Sequence, residues 1–155
     1  MDIQFYHLLT TPLEVALPKL AAIAYERGLR ACIVAEVEMH TVLDAALWTY
    51  QPNSFLPHGV MDEQAVDHPI LITDAPSVVN GAKLLIITNG MVISETEQSS
   101  YERIFDVFNG NHTGALMQAR ERWKTYLDAG IPLAYVKQRT DGSWEKLKEA
   151  NKESV

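Results

Sequence analysis

The chain of 155 residues is short of several things, and each shortage excludes a class of protein. It has a single cysteine, Cys32, which excludes a disulfide framework and any cysteine-based metal cluster. Nowhere does it hold the ~20 consecutive apolar residues of a membrane span. The N-terminus MDIQFYHLLTTP has an acidic second residue and no basic n-region, so no signal peptide is expected and the cytoplasm is the expected location. Glycine is missing from TTPLEVALP, the stretch after the first predicted strand, and neither G-x-G-x-x-G nor G-x-x-x-x-G-K-[ST] occurs. A pyrophosphate loop needs glycines there so that backbone N–H groups can approach the phosphates. Neither a nucleotide nor any other cofactor is expected.

Positive charge is also scarce, and unevenly so. The whole chain carries 13 Lys and Arg against 20 Asp and Glu, a formal charge of −7. Up to Gly114 there are 5 basic and 14 acidic residues, a balance of −9, whereas the remainder has 8 and 6, a balance of +2. An acidic body repels phosphate backbones, so little direct DNA binding is expected. The positive third can either receive an acidic partner or be a solvated helix and tail.

Apolar residues are plentiful, at 47%, and their order suggests an α/β chain. Strands are predicted at Ile3–Leu9, Leu29–Val37, Ile70–Thr73, Ala82–Thr88 and Ile131–Gln138, with a turn at Asp141-Gly142. Helices are predicted from about Pro18 to Gly28, over Glu38–Tyr50, over Tyr101–Phe108 and over Thr113–Ala129. The first helix is placed after Pro18 because an interior proline clashes with the preceding turn. The inner strands are almost continuously apolar, as strands buried on both faces are. The expected fold is a three-layer α/β/α domain over residues 1–143 with a mainly parallel sheet of about five strands, followed by a polar tail over 144–155.

Catalytic patterns are thin. No G-x-S-x-G occurs, and Cys32 lies mid-strand, where burial makes a thiol inert. His58 and His68 share a loop with Asp62, Glu63 and Asp67, a mixture that is more often solvated than metal-binding, and no metal is expected. Glu36 and Glu38 end the second strand, where open α/β sheets place their sites, yet they also suit the positive start of a helix. The last long helix says more. In QARERWKTY, Arg120, Trp123 and Lys124 share a face, with Arg122 and Tyr126 paired beside it. Two readings stand: a cationic, indole-floored surface for an acidic and aromatic peptide, or a core tryptophan among solvated cations.

The order FYHLL, a helix, CIVAEVEMHTVLDAALWTYQPNSFLPHG and finally QARERWKTYLDAG resembles the chi subunit of the bacterial DNA polymerase III holoenzyme. The most specific part is Asp44, Ala46, Leu47 and Trp48 followed by Ser54, Phe55, Pro57 and His58. The resemblance implies an α/β/α fold, no catalysis of its own and association with the psi subunit in the clamp-loader assembly. It also implies binding of the acidic, phenylalanine-ended C-terminal tail of single-stranded DNA-binding protein. The family's R-x-R-[YW]-K pattern for gripping that tail is matched by Arg120, Arg122, Trp123 and Lys124, while a basic residue one turn earlier is replaced by Leu116. Trp48 and Phe55 are in that family candidates for a second partner surface, with a DNA-repair helicase as partner, or alternatively a plug closing the helix onto its loop.

The leading expectation is therefore a non-catalytic replication adapter. Its rival is a small cytoplasmic α/β enzyme using Glu36 and Glu38.

Overall fold

The computed structural model describes residues 1–50 and 56–151. The chain runs β1 (Asp2–Leu8), α1 (Leu13–Glu26), β2 (Ala31–Val34), α2 (Val37–Trp48), β3 (His58–Val60), a 3₁₀ turn (Ala65–Asp67), β4 (Ile70–Thr73) and β5 (Leu84–Ile87). It continues with α3 (Glu95–Gln98), β6 (Arg103–Asn109), α4 (Thr113–Asp128), β7 (Leu133–Gln138) and β8 (Trp144–Ala150). The strands form one sheet in the order β3-β4-β2-β5-β6-β1-β7-β8, parallel throughout except where β8 returns antiparallel along β7. No helix among the described residues is long and apolar enough to cross a membrane.

Apolar runs make the sheet's two faces. Along β2, Ala31 and Ile33 point into a core shared with α1 and α2, while Cys32 and Val34 point into the core under α4. That alternation of direction without alternation of polarity is what a strand covered on both sides requires. The fold class is thus the expected one, with eight strands rather than five. Phe5 is completely buried in the second core, and a side chain of that size contributes about 1.5–3 kcal/mol when removed from water. Burial also pushes the Cys32 thiol up to about 11, which keeps it protonated and unreactive.

Three segments differ from expectation. Tyr101–Phe108 is not helical; it supplies β6, between β5 and β1. Ile104, Phe105, Val107 and Phe108 have the spacing of a helix stripe, but the same residues also make a strand buried on both faces. Central position in the sheet decides between the two. The first helix starts at Leu13 and continues through Pro18. Pro18 gives up one hydrogen bond, and burial of Leu17, Leu20, Ala21 and Ala24 around it offsets that loss. Finally, Trp144–Ala150 of the expected tail form β8, reached by a turn in which Gly142 has φ of +86°, while 152–155 lie outside the described residues. Its Trp144 packs edge-on against Tyr6 at 5.1 Å. The Lys and Glu residues that made it look like a tail are what an exposed edge strand carries.

Candidate peptide-binding groove

Helix α4 follows the break at Asn109-Gly110-Asn111 and is capped by His112, whose Nδ1 accepts from the Ala115 N–H at 2.9 Å. Its inward stripe is Ala119, Arg122, Trp123 and Tyr126, all buried, whereas Arg120 and Lys124 are exposed. This spacing of three, four and seven is the buried face of an amphipathic helix. The helix therefore separates residues that the sequence groups together.

Arg122, expected among the binding residues, lies inside the protein at 4% exposure. Its Nε donates to Asp106 Oδ2 at 2.7 Å and its Nη2 to Asp106 Oδ1 at 2.9 Å. A third contact runs from Nη1 to the Gly90 carbonyl at 3.3 Å. Burial raises the Asp106 carboxyl above its ordinary value, while the hydrogen bonds and charge of Arg122 pull it the other way. This guanidinium is committed to the core and is not open to a peptide.

Trp123 is buried at 8% exposure yet reaches the surface at one edge. One side packs on Phe5, centroid to centroid 5.4 Å. Its other side, with Leu116, Ala119 and Arg120, lines a groove of about 300 Å³ on the α4 face. Phe108 and Tyr135 complete the floor from the sheet, and Leu147 and Lys148 enter from β8. Tyr135 meets Trp123 edge-on at 5.9 Å, so the rings present both faces and edges to an incoming aromatic side chain. The Lys148 ammonium lies 5.0 Å from the Trp123 ring centroid. Among the described residues neither Arg120 nor Lys148 makes an ion pair. Lys124 is exposed on the same helix but does not line the groove.

A larger hollow of about 620 Å³ on the α1 side also carries cations and aromatics, including Arg103, Tyr6 and Trp144. There Arg103 is held by Asp2 and Lys146 by Glu149, and Glu102 stands in the wall. Among the described residues, no acidic side chain lines the α4 groove.

His7 sits behind the groove, buried against Phe108 and hydrogen-bonded through Nδ1 to the Tyr135 hydroxyl. Gly110 admits this ring, since a Cβ there would lie 1.8 Å from Nε2. Burial, then Lys137 and Arg120, lower the His7 pKa from 6.5. The unfolded chain therefore binds a proton at higher pH than the native one, so the neutral ring's stability is fully present above 6.5 and declines as pH falls through 6.5 toward the native value. Thermal unfolding at pH 7.5 and pH 5 is expected to show a smaller acid loss for His7→Gln than for wild type. Identical pH profiles would mean that His7 is not the group involved.

Other candidates are dispersed. Glu36 and Glu38 stand exposed at the start of α2, beside its positive end. Trp48 ends α2 at 54% exposure, its ring 4.9 Å from that of His58. The His58 Nε2 is 3.0 Å from Asp44 Oδ1 without hydrogen-bond alignment. The specific sequence segment thus folds Asp44, Trp48 and His58 together, while Phe55 lies outside the described residues. No three metal-ligating side chains converge among the described residues.

Fold and groove together define a class: a parallel α/β domain with a cationic, aromatic-floored groove on its last long helix. The family model described as DNA polymerase III chi subunit, HolC, matches residues 1–134, and the chain belongs to that family. The chain is also 30% identical over 103 residues to the probable DNA polymerase III subunit chi of Rickettsia prowazekii (strain Madrid E). That alignment covers 64% of this chain and 62% of the relative.

Proposed function

We propose that this protein is a non-catalytic accessory subunit in DNA replication that links the polymerase III clamp-loader assembly to single-stranded DNA-binding protein. The observation that carries the reading is the α4 groove. Arg120 supplies a guanidinium fork for carboxylates, and Trp123, Phe108 and Tyr135 supply an apolar floor for a terminal phenylalanine. An acidic, aromatic-ended tail matches both features. Lys124, one turn from Arg120, adds positive charge that steers such a tail toward the helix. The exposed Trp48 is the second partner surface in this reading, for a repair helicase, and association with a psi subunit belongs to the same proposal.

The test is a binding comparison between intact and tail-truncated single-stranded DNA-binding protein. Retention of the intact protein alone is expected. Equal retention of both would reject the tail as the ligand. With a net charge of −7, bare single-stranded DNA is expected to bind weakly, because phosphate neutralisation needs a continuous cationic track. Submicromolar affinity for a naked oligonucleotide at physiological salt would contradict the adapter reading.

A further inference from the structure

The C-terminal strand β8 lies beyond residues 1–134, the part matched by the family model, yet it builds one wall of the groove. Its register explains how. Tyr135 pairs with Lys148 and Val136 with Lys146, leaving Leu147 as an extra residue in a break of register. A regular strand would place residues 144, 146, 148 and 150 on one side of the sheet. The extra residue divides them: Trp144 packs into the α1 core, whereas Ala150 packs into the α4 core. Lys148 thereby shares the face of Tyr135 and reaches the Trp123 ring. Re-aiming a side chain is a common consequence of a β-bulge.

The groove needs this contribution. On the α4 side, Arg120 is the cation in its lining, because Leu116 one turn earlier is apolar. We propose that Lys148 is the groove's second carboxylate-binding cation, delivered by the β8 bulge, so that an acidic peptide is gripped between α4 and β8. This rests on the tail-binding reading above. Two cations on opposite walls favour a ligand with several carboxylates around an aromatic side chain over one with a single charge. Leu147, half exposed beside Lys148, extends the apolar surface on that wall.

The experiment titrates an aspartate-rich peptide ending in phenylalanine into the full chain, its Lys148→Ala, Lys148→Glu and Arg120→Ala variants, with circular dichroism to verify folding. Lys148 is exposed on an edge strand, so the variants are expected to fold. Lys148→Ala is expected to bind roughly threefold to tenfold more weakly, and Lys148→Glu more weakly still. Repeating the titration with the aspartates changed to asparagine is expected to erase most of the difference between wild type and Lys148→Ala. Unchanged affinity in both Lys148 variants, alongside weakened binding by Arg120→Ala, would overturn the role of β8 and leave the tail-binding reading standing. Absence of peptide binding by the wild type would overturn both. A Lys148 effect that persists with the asparagine peptide would show that this lysine does not read carboxylates, which also overturns the inference.

Discussion

Arg122→Ala is expected to destabilise the fold by about 3–5 kcal/mol, the cost of leaving a buried charge without its partner. The side chains of Arg122 and Asp106 are 5% and 3% exposed, and their two parallel hydrogen bonds leave little room for water to replace a lost guanidinium. Against a typical domain stability of ~5–15 kcal/mol, a loss of that size is large. Asp106→Ala is expected to be similarly harmful, because it strands Arg122 in the same core. Replacing both with apolar residues, as in Arg122→Met with Asp106→Leu, is expected to be much milder than either single change, since no charge is then left buried. Urea unfolding of wild type, Arg122→Met, Asp106→Leu and the double variant forms a complete cycle, with the two alanine variants measured beside it. A loss below about 1 kcal/mol for Arg122→Ala would mean that the pair is solvated in solution.

Arg120→Ala should act on the partner instead of the fold. Arginine and alanine differ little in helix propensity, and Arg120 is exposed, so stability is expected to change by only a few tenths of a kcal/mol. Losing a charge-assisted contact that becomes desolvated on binding costs about 2–5 kcal/mol, roughly 30-fold or more in affinity. Calorimetric titration of an acidic, phenylalanine-ended peptide into wild type and variant checks this, and higher salt is expected to weaken the wild-type interaction. Trp123→Ala is a poorer probe because the indole also packs on Phe5 inside the core. Equal affinities for wild type and Arg120→Ala would remove this face of α4 from the binding site. The contrast is sharp: two arginines two positions apart in the same helix, one expected to report on stability and the other on binding.

Much of the molecule was legible in one dimension. The apolar runs Leu29–Val37, Ile70–Thr73 and Ala82–Thr88 read as inner strands, and the sheet holds Ala31–Val34, Ile70–Thr73 and Leu84–Ile87 of them, because parallel strands between helix layers have no polar side. The missing glycines after β1 spoke against a phosphate loop, since that loop is a backbone requirement written directly in residue type. The W…SF..H segment and the RERWK run carried the family resemblance without any structure. What sequence did not decide was direction. Arg120 and Arg122 are the same residue type in the same helix, and only the placement of Asp106 beneath α4 turns one into a core ion pair and leaves the other to solvent. β6 read as a helix because its apolar spacing suits either element, and its neighbours in the sheet settle the matter. β8 read as a tail because one edge strand buries too little to leave a pattern. Its bulge, and the lysine that the bulge brings to Trp123, exist only through pairing with β7. Hydrophobic pattern is a local property that the chain carries with it, whereas charge pairing, strand register and groove composition arise between segments distant in sequence, and form only when folding brings them together.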